Sequence, residues 1–97
     1  MSRAKLRPAV VLAEAGRGDW ILSQITSKSY ADAAAVSLRA ADFAKGSLQL
    51  DSYVRPGKLF TAHQSLLAAE AGRLKAEACE KVISAVVRLL RAGTAHQ

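Results

Sequence analysis

The stretch Asp19-Trp20-Ile21-Leu22-Ser23-Gln24-Ile25-Thr26 alternates two sets of side chains, with Trp20, Leu22 and Gln24 in one and Ile21, Ser23 and Ile25 in the other. A period of two belongs to a β-strand, whose successive side chains point to opposite faces. Just before it, Gly16-Arg17-Gly18-Asp19 carries a turn signal. Earlier still, Ala9-Val10-Val11-Leu12-Ala13 is a continuous apolar run, which reads as a strand buried on both faces. Strand, glycine-bounded turn and alternating strand together predict an antiparallel hairpin. Downstream, Thr26-Ser27-Lys28-Ser29 ends the second strand in a polar loop.

Further along, Ala34 to Leu38 reads as a third strand and Ala40 to Phe43 as a helical or irregular corner, broken by Gly46. Ser52 to Arg55 is extended and stopped by Pro56-Gly57, Lys58 to Thr61 and Leu66 to Ala69 are short strands, and Gly72 closes the β region. From Ala76 to Arg91 the period changes. Cys79, Val82, Ile83, Val86, Val87, Leu89 and Leu90 recur at spacings of three and four, one broad apolar stripe of a helix that packs on the strands. Glu77 and Glu80 near its start and Arg88 and Arg91 near its end suit the helix dipole, and Gly93 is a C-terminal stop. The reading is mainly β with a C-terminal α-helix, a small barrel or half barrel, as one domain over 1–97 with strands at about 8–70 and the helix at about 76–91.

Composition narrows the class. A chain of 97 residues with 51% hydrophobic and 23% charged residues and a mean hydropathy of +0.09 has room for one core and not two. Aromatics are 5% of the chain, so the core falls to Val, Ile and Leu with Trp20, Tyr30, Phe43, Tyr53 and Phe60. No apolar run approaches the roughly 18 to 20 residues of a membrane-spanning helix. Arg3 to Arg7 followed by Pro8 to Ala13 imitates a secretory signal, but its apolar part is too short. The lone Cys79 has no internal disulfide partner, so a cytoplasmic location and no membrane partner are expected.

Lysine and arginine number 14 against 8 acidic residues, a formal charge of +6 with a sequence pI of about 10.0. Such an excess attracts polyanions, nucleic acid foremost, although it also serves as a solubilising surface. One cysteine and two distant histidines, His63 and His96, cannot supply a metal centre. Neither a phosphate-cradling glycine loop nor a Gly-x-Ser-x-Gly elbow occurs. What remains is Arg, Lys, Ser and Thr at strand ends, donors suited to phosphate.

Four pieces in order carry a resemblance. Lys5-Leu6-Arg7-Pro8-Ala9-Val10-Val11-Leu12, Asp19-Trp20-Ile21-Leu22-Ser23-Gln24-Ile25-Thr26-Ser27, Ser52-Tyr53-Val54-Arg55-Pro56-Gly57-Lys58-Leu59-Phe60-Thr61 and Gly72-Arg73-Leu74 resemble the PemK/MazF toxins of type II toxin-antitoxin systems. The likeness runs from about Ala4 to Leu90. It implies an SH3-like barrel, a homodimer, a small cognate antitoxin protein as partner, and a growth-inhibiting endoribonuclease that cleaves single-stranded RNA without metal or other cofactor. It further implies Arg7, Thr26 and Arg55 as catalytic residues and Ser27, Lys5 and Lys58 as RNA-binding ones. Four of these have a structural alternative: Arg7 as a solvated lead-in, Thr26 and Ser27 as a hydroxyl turn, and Arg55 as an ion-pair partner at a sheet edge.

Two departures from the family pattern bear on this. Relatives usually begin with a Gly-Asp strand, and this sequence starts just after that point, so an N-terminally incomplete barrel with an unpaired edge beside Arg7 is expected. Gly57 stands where many relatives carry an acidic residue, two places after the late arginine. A catalytically inactive, truncated remnant that binds RNA or antitoxin only is therefore the alternative function. A gyrase poison on the same barrel is disfavoured, because the ending Thr94-Ala95-His96-Gln97 is not of the Trp-Gly-Ile type.

Overall fold

The computed structural model describes residues 8–29, 32–48, 50–67 and 70–94. The hairpin forms from β1 (Ala9–Gly16) and β2 (Asp19–Thr26), with Gly16 opposite Asp19 and a two-residue loop between them. Both loop residues have positive φ, Arg17 at 55° and Gly18 at 81°, the backbone that matches the right-handed twist of the flanking strands. Glycine at position 18 meets a second demand. A Cβ there would lie 2.7 Å from Nε2 of His63.

The remaining elements are β3 (Val36–Leu38), β4 (Phe43–Gly46), β5 (Ser52–His63), β6 (Gly72–Leu74) and α1 (Ala76–Ala92), with short 3-10 turns at Ala40–Asp42 and Gln64–Leu66. One sheet runs in the order β1-β2-β5-β3 and a second pairs β4 with β6, every ladder being antiparallel. The result is a curled β structure with one C-terminal helix, the small-barrel class expected. Among the described residues no helix is long and apolar enough to cross a membrane.

Val54 is the centre of the core because it has a neighbour on each side, Ile25 on β2 and Val36 on β3, and has no exposed surface. Val10, Leu38 and, from α1, Val82 close around it, with Leu12, Val36, Phe43, Leu48 and Leu74 at the margin. Full burial of a branched aliphatic side chain stabilises by about 1.5 to 3 kcal/mol. This valine-rich cluster replaces a large aromatic core.

Several expectations need correction. Pro56-Gly57 does not stop the strand: β5 is continuous over 12 residues. Ser23 pairs with Leu59 and Ile25 with Val54, so residues 55–58 bulge opposite the single residue Gln24. A wide bulge accepts a proline, since its missing N–H leaves no ladder position vacant. The first strand is not buried on both faces. Among the described elements β1 lies at the sheet edge, with Val10 buried and Val11 45% exposed. The third strand shrinks to Val36–Leu38, and Gly72 opens β6 where the β region was expected to close. Gln64–Leu66 is a 3-10 turn in place of the strand expected from Leu66, while Ala68 and Ala69 lie outside the described residues. Phe60 is 45% exposed and leaves the core list; Tyr30 lies outside the described residues. On α1 only Ala78, Val82 and Val86 are buried, so the broad stripe is covered along one row and its flank of Ile83, Val87 and Leu90 is exposed.

Candidate functional site

Strand alternation decides which side chains meet. On β2, Ser23 and Ile25 turn into the core while Gln24 and Thr26 turn to the opposite face. Thr26 is paired with Tyr53 on β5, and Arg55, two residues on, shares that face. The bulge at residues 55–58 then holds the arginine beside Gln24. An open cleft of about 750 Å³ lies over this corner, lined by Pro8, Gln24, Ile25, Thr26, Ser27, Lys28, Leu48, Leu50, Ser52 and Arg55.

Each polar group in the cleft has a defined orientation. Arg55 donates from Nη1 to Oε1 of Gln24 at 3.2 Å, and its backbone carbonyl accepts the Ser23 hydroxyl at 2.6 Å. Side chain and main chain of one residue are therefore anchored to β2 at adjacent positions. The Thr26 hydroxyl oxygen accepts the Lys28 backbone N–H at 3.1 Å, which leaves its own hydrogen free to be donated. Ser52, buried, donates to the Leu50 carbonyl at 2.9 Å and so fixes the wall instead of offering a donor to the opening. The Pro8 carbonyl accepts the Ile25 N–H at 3.2 Å, tying the start of the described chain to β2.

Of the residues implied by the resemblance, Thr26, Ser27 and Arg55 line this one cleft. Lys58, in the same bulge as Arg55, is exposed on β5 and is not among the lining residues. Lys5 and Arg7 lie outside the described residues. Gln24 and Lys28 were missed. Gln24 was legible in principle as the i−2 neighbour of Thr26 on one strand face, whereas its contact with Arg55 depends on a bulge of four residues against one. Among the described residues no group of three or more His, Cys, Asp or Glu side chains forms a cation-binding cluster. The donors gathered here suit an anion: a planar guanidinium, a hydroxyl and a lysine in an opening partly walled by apolar side chains.

The profile of PemK-like, MazF-like toxins of type II toxin-antitoxin systems matches residues 2–90. The chain belongs to this toxin family. Among solved structures, it is similar to Mycobacterium tuberculosis toxin MazF-mt6 with a TM-score of 0.70 at 19% identity, over 88% of this chain and 86% of that one. At that identity the likeness speaks for the fold, the PemK/MazF barrel with its closing helix. No curated protein sequence matches the chain. Membership of a type II toxin family implies an antitoxin partner. In this family member the cleft at the β2–β5 bulge gathers Gln24, Thr26, Ser27, Lys28 and Arg55.

Proposed function

We propose that this toxin is a metal-independent endoribonuclease that cuts single-stranded RNA and thereby inhibits growth. The observation that carries the reading is the convergence of Thr26 and Arg55, with Ser27 and Lys28, on one open cleft that begins at Pro8, the residue after Arg7. RNA carries its own nucleophile. The 2′-oxygen attacks the adjacent phosphorus as its proton leaves, the bond from phosphorus to the 5′-oxygen breaks, and that oxygen takes up a proton, giving a 2′,3′-cyclic phosphate and a 5′-hydroxyl. The protein must hold the backbone in line and offset the charge that gathers on the phosphoryl oxygens.

Arg55 would supply a fixed guanidinium, with Gln24 holding one of its nitrogens. Thr26 would donate its free hydroxyl hydrogen to a non-bridging oxygen, while its oxygen accepts the Lys28 N–H. Arg7 would bring a second guanidinium to the same phosphate, and Ser27 would bind the adjoining backbone. Lys5 and Lys58, within a chain of net charge +6, would steer the RNA strand toward the cleft. A homodimer acting in the cytoplasm completes the reading.

The test is to incubate the full chain with a single-stranded RNA in EDTA and analyse the ends formed. Cleavage that leaves 2′,3′-cyclic phosphate, and its loss in Arg7→Ala, is the expected result. Cutting that EDTA stops, or an Arg7→Ala variant with full rate, overturns the mechanism. Binding of RNA or antitoxin without any cleavage marks an inactive remnant instead.

A further inference from the structure

We propose that Asp32 is a positioning residue for Arg55, a negative brace that sets the guanidinium plane in the cleft. The proposal rests on the ribonuclease reading above for its catalytic consequence, but the brace itself is a matter of geometry. A guanidinium offers five N–H donors in a rigid fork. Gln24 engages Nη1 at 3.2 Å, while Nε is buried, has no hydrogen-bond partner among the described residues, and has Oδ2 of Asp32 at 3.6 Å. Asp32 and Gln24 thus act on different nitrogens, leaving Nη2 uncommitted by either. Three donors, both on Nη2 and one on Nη1, remain for an anion.

The carboxylate is itself held. Oδ1 of Asp32 accepts the Ala34 N–H at 2.9 Å and its backbone carbonyl accepts the Ala35 N–H at 3.1 Å, a turn that directs the second oxygen at Arg55. The two side chains are only 24% and 20% exposed, so their attraction is less screened than that of a surface pair. At 3.6 Å the contact is an ion pair and not a hydrogen bond. It opposes rotation of the guanidinium away from Gln24. Asp32 therefore acts through Arg55, on which an in-line geometry depends, and does not itself line the cleft.

Asp32→Asn separates this role from a structural one, because the amide oxygen keeps the turn with Ala34 while the negative charge facing Arg55 is removed. Two quantities are read in the full chain: kcat and KM on single-stranded RNA, and the Arg55 Nε–H resonance in a proton–nitrogen spectrum, assigned with Arg55→Lys. The expected result is loss of the slowly exchanging Nε–H signal together with a kcat lower by about a hundredfold, the scale of a small misplacement of a catalytic group, with KM little changed. Asp32→Ala should match or exceed that loss. An Asp32→Asn variant with wild-type kcat, or one that retains the protected signal, overturns the proposal. If the wild-type chain cuts no RNA, the ribonuclease reading fails, and the Nε–H signal still decides whether Asp32 holds Arg55.

Discussion

The Ser23 hydroxyl, on a side chain with no exposed surface, donates across the sheet to the backbone carbonyl of Arg55 at 2.6 Å. It does so where the ladder is interrupted, residues 55–58 standing opposite Gln24 alone. A carbonyl freed by a bulge needs a partner when water is excluded, and the small buried hydroxyl supplies one. The same bond sets the height of Arg55 over β2. Ser23 is therefore the hinge pin between a core position and a cleft position. Ser23→Ala should destabilise the fold by about 1 to 3 kcal/mol, since it strands that acceptor. For a domain of this size each kcal/mol lowers Tm by roughly 4 to 8 °C, which differential scanning calorimetry reads directly.

Thr26→Val and Thr26→Ser distinguish a donor from a spacer. Valine keeps the shape of the side chain and loses both the free hydrogen and the acceptor of the Lys28 N–H, whereas serine retains both. If the hydroxyl contacts the phosphate, the valine variant should cut RNA about a hundredfold to a thousandfold more slowly, the usual cost of one preorganised donor. The serine variant should stay within about tenfold of wild type, as no such donor is removed. Equal activities in single-turnover kinetics would remove Thr26 from the mechanism.

Val82 and Ile83 are sequence neighbours with opposite surroundings, the first without exposed surface in the core cluster and the second 38% exposed. Val82→Ala should cost about 2 kcal/mol through lost burial against Val54 and Leu38. Ile83→Ala should stay within about 0.5 kcal/mol, as surface changes usually do. Urea titrations of the two variants give the comparison, and equal losses would mean that the exposed flank of α1 is covered in solution.

Arg17 holds φ at 55° in the two-residue turn between β1 and β2. An L-residue with a long side chain pays a steric penalty there that asparagine largely avoids. Arg17→Asn should raise stability by a few tenths up to about 1 kcal/mol, seen as a higher urea midpoint at unchanged m. A lower midpoint would show that the arginine makes a compensating contact.

Local pattern carried the hairpin and the helix. The alternation of Asp19–Thr26, the Gly16–Gly18 turn and the three-and-four spacing after Ala76 each concern neighbours within a few residues, where side-chain direction follows from backbone geometry alone. The ordered motifs also carried the family resemblance, and it was this resemblance, not the charge excess, that implied Thr26 and Arg55 as site residues. The bulge was a different matter. Pro56-Gly57 reads locally as a stop, yet the chain continues as β5 because β2 and β3 flank it and four residues can loop against Gln24 without losing either ladder. Only that non-local pairing brought Gln24 and Ser23 onto Arg55, and only the tertiary fold placed Asp32 beside its Nε. Which apolar residues were covered was likewise decided in three dimensions, since Phe60 and Val87 have the composition of core residues but no described element lies over them. Burial and register belong to pairs of segments distant in the chain, and a one-dimensional period holds no record of the partner.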